Sequence, residues 1–96
     1  MDFRVEITDP AIADLQEIVS YIAEHNPPAA AALGNNLLDA ALSLTSHPYK
    51  GSSYPKLAGI RKVTVRPFKI FYRIRDDSEV VEVLRFWHSA RREPKL

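Results

Sequence analysis

Ninety-six residues, 46% of them hydrophobic and 26% charged, make one domain (1–96) with a modest core. The lack of cysteine excludes disulfides and thiolate metal sites, and no run approaches the roughly 20 apolar residues of a membrane-spanning helix. The net charge of +1 divides unevenly, with one basic against seven acidic side chains in residues 1–48 and twelve against five in residues 49–96. A basic face that meets an acidic partner is one reading of that asymmetry, and mutual neutralisation of the two halves is the other. The N-terminus has no basic end followed by an apolar core, so a secretory leader is not expected and a cytoplasmic domain is.

Residues 2–7 alternate, with Phe3, Val5 and Ile7 against Asp2, Arg4 and Glu6, which predicts a strand with one buried face. Thr8 or Asp9 can cap a following helix, and Pro10 suits its first turn. That helix is expected from about Pro10 to Glu24, with Ala11, Leu15, Ile18 and Ile22 as its apolar stripe and Asp14, Glu17 and Glu24 facing water. Asn26 can cap a second helix over about Pro27 to Ser46, carrying Leu33, Leu37, Ala41 and Leu44. Its four alanines, Ala29 to Ala32, permit close approach, whereas Gly34 weakens it by about 1 kcal/mol relative to alanine, so packing must supply the difference. The short break between the helices predicts an antiparallel hairpin.

Residues 48–59, rich in proline, glycine and serine, read as a loop pinned by Tyr49, Tyr54 and Leu57. Three strand-like runs follow, joined at Pro67 and at Asp76-Asp77-Ser78. Val63 and Val65 share one face with Lys62, Thr64 and Arg66 opposite. Phe68, Ile70, Tyr72 and Ile74 then alternate with Lys69, Phe71, Arg73 and Arg75. The phase of the last run becomes ambiguous at Leu84-Arg85-Phe86-Trp87, where a β-bulge can re-aim the side chains. The expected class is α+β: an N-terminal strand, an antiparallel helical hairpin, and a three-stranded antiparallel meander.

No familiar catalytic motif is present, and His25, His47 and His88 have no metal-ligand spacing, so neither a metal nor another cofactor is expected. His25 and His47 fall at predicted helix ends, where bonding to terminal carbonyls explains them. His88 ends the last strand among cations, which suits a histidine that caps the sheet on a backbone carbonyl, or else a proton carrier or hydrogen-bonding group in a basic pocket. Arg91 offers a fork for phosphate or carboxylate, or a salt bridge to Glu93 or to the helices. Lys62, Arg66 and Lys69 form a second cluster, fit for RNA phosphates, for an acidic protein surface, or simply for solvent.

The pieces also follow a characteristic order. Ala13-Asp14-Leu15 precedes Ile18 and Tyr21-Ile22, and Asn26-Pro27 precedes the alanine-rich helix. Leu44 then stands before His47-Pro48, followed by Gly59 to Val63, Phe68 to Ile74, and Val83 to Arg91. In that order they resemble the ParE/RelE toxin superfamily of bacterial type II toxin–antitoxin systems, along nearly the whole chain. The resemblance implies a RelE/ParE-like fold, with one sheet packed on the helices. It also implies a growth-arresting toxin of the plasmid-stabilisation kind, neutralised by a cognate antitoxin whose acidic, partly disordered segment wraps it. Oligomeric state would then depend on the antitoxin complex.

Two branches imply two targets. RelE-like ribonucleases cut messenger RNA on the ribosome with strand Lys and Arg residues and often a C-terminal tyrosine. Lys62 and Lys69 fall near those basic positions, but Thr64 stands where a second strand lysine is expected, and the last tyrosine is Tyr72. The His88-x-x-Arg91 ending fits better the ParE-like branch, whose characterised members inhibit DNA gyrase by binding. Arg61, Lys62, Arg66, Lys69, His88 and Arg91 are the expected target-binding residues. All but Arg61 would be catalytic if the chain were instead an endoribonuclease.

Overall fold

Thr8 ties the first strand, the first helix and the last strand together. Its hydroxyl accepts the Ala11 N–H at 3.4 Å, capping the helix, and donates to the Val83 carbonyl at 2.8 Å. The computed structural model describes residues 2–96. They form β1 (Arg4–Ile7), α1 (Asp9–Ala23), α2 (Pro27–Leu42), β2 (Ser52–Ser53), β3 (Ile60–Val65), β4 (Phe68–Arg75) and β5 (Val80–His88). One sheet runs in the order β1-β5-β4-β3-β2. Strands β3, β4 and β5 make the expected antiparallel meander, and β1 joins as a parallel edge with Arg4 opposite Val80.

The helical hairpin covers one face of this sheet. Ala11, Leu37, Ala41 and Leu44 pack on Val63, Ile70, Tyr72, Val81, Val83 and Phe86, and Leu15, Ile18 and Leu33 close the margin. Both predicted stripes therefore turn toward the sheet, with Ala11, Leu37, Ala41 and Leu44 buried and Leu15, Ile18, Ile22 and Leu33 half-buried. Asn26 caps α2 by accepting the Ala29 N–H at 3.2 Å. A methyl added at Gly34 would sit 3.0 Å from Val19 Cγ2, so this glycine sets the approach of the two helices. The second helix ends at Leu42, short of the predicted Ser46. The Ser43 hydroxyl donates to the Ala40 carbonyl at 2.7 Å, and the chain tightens into a 3-10 turn over Ser43–Thr45.

Two expectations are corrected here. The 48–59 segment is not all loop, because Ser52 and Ser53 pair with Lys62 and Arg61 of β3 and add a fifth strand. A serine doublet is too short to show alternation; its neighbours hold it instead. The buried Tyr72 hydroxyl donates to the Pro48 carbonyl at 2.8 Å and accepts the Gly51 N–H at 2.9 Å. Arg61 donates to the Gly51 carbonyl at 2.7 Å. A Cβ on Gly51 would lie 2.5 Å from the Lys62 carbonyl oxygen and 2.7 Å from the Tyr72 hydroxyl. Gly51→Ala is therefore expected to cost about 2 kcal/mol, from overpacking and a broken buried hydrogen bond. Thermal unfolding checks this, with a fall of roughly 8–16 °C expected.

The second correction concerns Asp14, placed on the water-facing side of α1 from its charge alone. It is buried, with 9% of its surface exposed. Strand β1 stops pairing with β5 at Val83, and Asp14 takes over the strand's edge by accepting the Phe86 N–H at 3.2 Å. The predicted bulge lies in this part of β5. Tyr72 faces Val83 while Phe71 faces Arg85, which leaves Leu84 as the extra residue.

Candidate functional site

Alternation from the strand register decides which candidates share a surface. Lys62, Thr64, Lys69, Phe71, Arg73 and Trp87 fall on the outer face of the sheet, away from the hairpin. Phe71 is nevertheless buried, under the Tyr54 ring at a centroid distance of 5.2 Å. Tyr54 thus pins the loop as expected. Tyr49 is tied at its edge by a hydroxyl hydrogen bond to Asp76, and this bond pushes its phenol above the usual range. Leu57 stays exposed.

Ion pairing then removes several cations from contention. Arg73 and Arg75 both clamp Glu82, and Lys56 pairs with Glu93 at 2.8 Å. Arg61 is spent on the Gly51 and Tyr49 carbonyls. Glu93, one suggested partner of Arg91, is thus engaged by Lys56. Lys62, Arg66, Lys69 and Arg91 have no carboxylate partner among the described residues. Of the ion pairs there, only Arg85–Asp14 joins the acidic half of the chain to the basic half. Direct ion pairing between the halves therefore does not account for the charge asymmetry.

Burial alone would raise the Glu82 carboxyl, but hydrogen bonds from Arg75 and Arg73 outweigh it and hold the group below its ordinary value. A carboxyl lowered in the folded state contributes stability that is fully present above the ordinary carboxylate range. That contribution is lost as pH falls through the lowered value. The stability gap between the wild type and Glu82→Gln is thus constant at neutral pH and closes in acid below about pH 4. Urea titrations at several pH values check it.

His88 lies on the other face. It pairs across the strands with Phe68, their rings meeting edge-on at 5.2 Å, so it faces the hairpin rather than Lys62 and Lys69. Its Nδ1 accepts the Ala90 N–H at 3.0 Å. His88 therefore accepts from a backbone amide in the following turn, where a bond to a carbonyl was expected. Ser89 N–H donates to the Pro67 carbonyl at 2.9 Å, fastening the end of β5 to the β3–β4 turn where Arg66 stands exposed. His25 and His47 are both exposed.

Two clefts flank this end of the sheet. A groove of about 440 Å³ on the hairpin side is walled by Ile18, Tyr21, Ile22, Leu33, Phe68 and Phe86, with His88 and Arg91 also lining it. A cleft of about 420 Å³ on the outer side is lined by Lys56, Lys69, Trp87, Arg91, Arg92 and Glu93. Arg91 belongs to both. Its guanidinium carbon lies 4.0 Å from the Trp87 ring centroid, and that of Arg85 lies 4.6 Å away. Arg85 in turn donates to both Asp14 oxygens, at 2.6 and 2.8 Å, a bond that raises its affinity for its proton against the cost of burial.

Trp87, Asp14, Lys56 and Arg92 were not among the sequence candidates. A signal for Asp14 was available: it stands three residues after Ala11 and four before Ile18, within the apolar stripe. Trp87 had none, because the bulge at Leu84 shifts the phase of the strand just before it.

No described helix is long and apolar enough to cross a membrane, and no three His, Asp or Glu side chains among the described residues gather as a metal-binding set. Residues 5–93 match the ParE toxin of the type II toxin–antitoxin system parDE. Toxin RelE2 of Caulobacter vibrioides is 37% identical over 82 residues, covering 84% of this chain and 89% of that one. The chromosomal ParDE system of P. aeruginosa has a chain that superposes with a TM-score of 0.78 at 21% identity, covering 90% of this chain and 95% of that one. The toxin–antitoxin complex RelBE2 of Mycobacterium tuberculosis gives 0.69 at 25% identity, with 92% and 99% covered. With the strand–hairpin–meander order matched in these structures and the family's pattern running from Val5 to Glu93, the chain belongs to the ParE toxin family of type II toxin–antitoxin systems.

Proposed function

We propose that this toxin arrests growth by binding and inhibiting DNA gyrase, without turnover of its own, through Lys62, Lys69 and Arg91 at the outer face, with Arg66 at the β3–β4 turn and His88 contributing from the hairpin side. The observation that supports this reading is that Lys62 and Lys69 stand on the outer face with no histidine beside them, since His88 faces the hairpin and shares only Arg91 across the groove there. A ribonuclease needs a proton-transfer group beside the cations that stabilise the phosphate; a binding surface needs only the cations. Purified gyrase should lose supercoiling activity as toxin is added, and induced cells should filament with DNA-damage signalling. Normal supercoiling at excess toxin rejects the proposal.

The second reading, a ribosome-dependent endoribonuclease, is favoured by the identity with a relative named RelE2. It predicts cuts within translated codons that disappear with His88→Ala or Arg91→Ala. Intact transcripts during growth arrest exclude it.

The same proposal includes a cognate antitoxin, in keeping with the complexes of the similar structures. An acidic, partly disordered segment suits the unpaired cations, and an amphipathic stretch suits the apolar groove beside the hairpin. Removing Lys62, Arg66 and Arg91 together should weaken the complex in a salt-dependent manner. An unchanged affinity would discard the electrostatic part.

A further inference from the structure

We infer that Trp87 is a positioning residue that holds Arg91 ready for its anionic target group, and that Asp14 supports it from behind through Arg85. The inference rests on the reading of Arg91 as a target-binding side chain. It is carried by the stack itself, in which one indole ring serves two guanidinium groups at 4.0 and 4.6 Å.

Two cations at one ring repel each other unless one is neutralised. Asp14 does this for Arg85 through two charge-assisted hydrogen bonds, and its own place is fixed by the Phe86 N–H. Arg85 then acts as an inert wall of the stack, and Arg91 keeps the full attraction of the ring face. The indole is itself held, because Trp87 Nε1 donates to the Arg92 carbonyl at 2.6 Å. The turn that carries Arg91 is held too, by its own N–H on the His88 carbonyl at 3.0 Å.

A guanidinium lying over an aromatic face keeps its edge for hydrogen bonding. Among the described residues Arg91 has no carboxylate partner, so its planar fork is open to two coplanar oxygens of a carboxylate or phosphate. An unstacked arginine would lose several rotamers on binding, and stacking removes that loss beforehand.

Trp87 is the only tryptophan of the chain, so its fluorescence reports the stack without reference to any target. Arg91→Ala should raise the acrylamide quenching constant of Trp87. In growth assays, Trp87→Leu should raise the toxin level needed for arrest roughly three- to tenfold, the range that ordering one rotamer-rich side chain carries. Trp87→Phe, which keeps an aromatic face, should restore most of that loss, and Trp87→Leu should add little in the Arg91→Ala background. Melting temperatures of all variants separate these effects from misfolding.

Unchanged quenching in Arg91→Ala, or equal potency loss for Trp87→Leu and Trp87→Phe at equal stability, overturns the inference. If the leucine–phenylalanine ordering appears in growth arrest while gyrase supercoiling is untouched, the positioning role stands and the gyrase target falls.

Discussion

Asp14→Ala lowers the stability of the toxin by about 3 kcal/mol, the low end of the range for removing one partner of a buried ion pair. Only 10% of the Asp14 side chain and 23% of the Arg85 side chain are exposed, so water replaces little of what is lost. Three donors lose their acceptor at once: two nitrogens of Arg85 and the backbone N–H of Phe86. On a chain of this size the melting temperature should fall by roughly 12–24 °C. Adding Arg85→Ala to the first substitution should cost little more, giving a coupling of about 1.5 kcal/mol or above in a double-mutant cycle. Additive losses would mean that the two side chains contribute separately and that Asp14 acts mainly on the strand edge.

Reversing both outer-face lysines, Lys62→Glu with Lys69→Glu, is expected to raise the toxin concentration for half-inhibition by about two orders of magnitude. Facing like charges across an interface cost several kcal/mol, and the loss of steering slows encounter as well. Neither lysine has a carboxylate partner among the described residues, so the fold should be nearly indifferent. The wild type should weaken as ionic strength rises, whereas the reversed variant should not. Equal potency of the two proteins would show that the target does not present an acidic surface to this face.

Most of the architecture was legible because its elements follow clear periods. The alternation of Phe3, Val5 and Ile7, the stripe from Ala11 to Ile22, and the two-residue rhythm from Phe68 to Arg75 each correspond to a buried face. Phase also sets Lys62 opposite Val63 on its strand and Lys69 opposite Phe68 and Ile70 on the next. What escaped depends on long-range partners. Ser52–Ser53 is a strand only because Tyr72 and Arg61 hold its backbone against β3. Asp14 was assigned to solvent on its chemistry, although its spacing already put it inside the stripe. Trp87 and His88 follow a bulged residue, so neither could be given a face by counting. The fold obeys local rules, whereas the surface around Arg91 depends on a carboxylate contributed from 71 positions before Arg85.

The parallel pairing of β1 with β5 has a consequence for synthesis. Arg4 must wait for Val80 before its strand has a partner, so the sheet closes only once β5 has been made. Contacts so distant in sequence slow folding, and an incomplete chain keeps the apolar stripes of its hairpin uncovered in the meantime. A nascent or truncated toxin that stops before β5 has no closed sheet, no stack on Trp87 and no Arg91. The outer face around Arg91 is thus assembled only after the hairpin and the meander are in place.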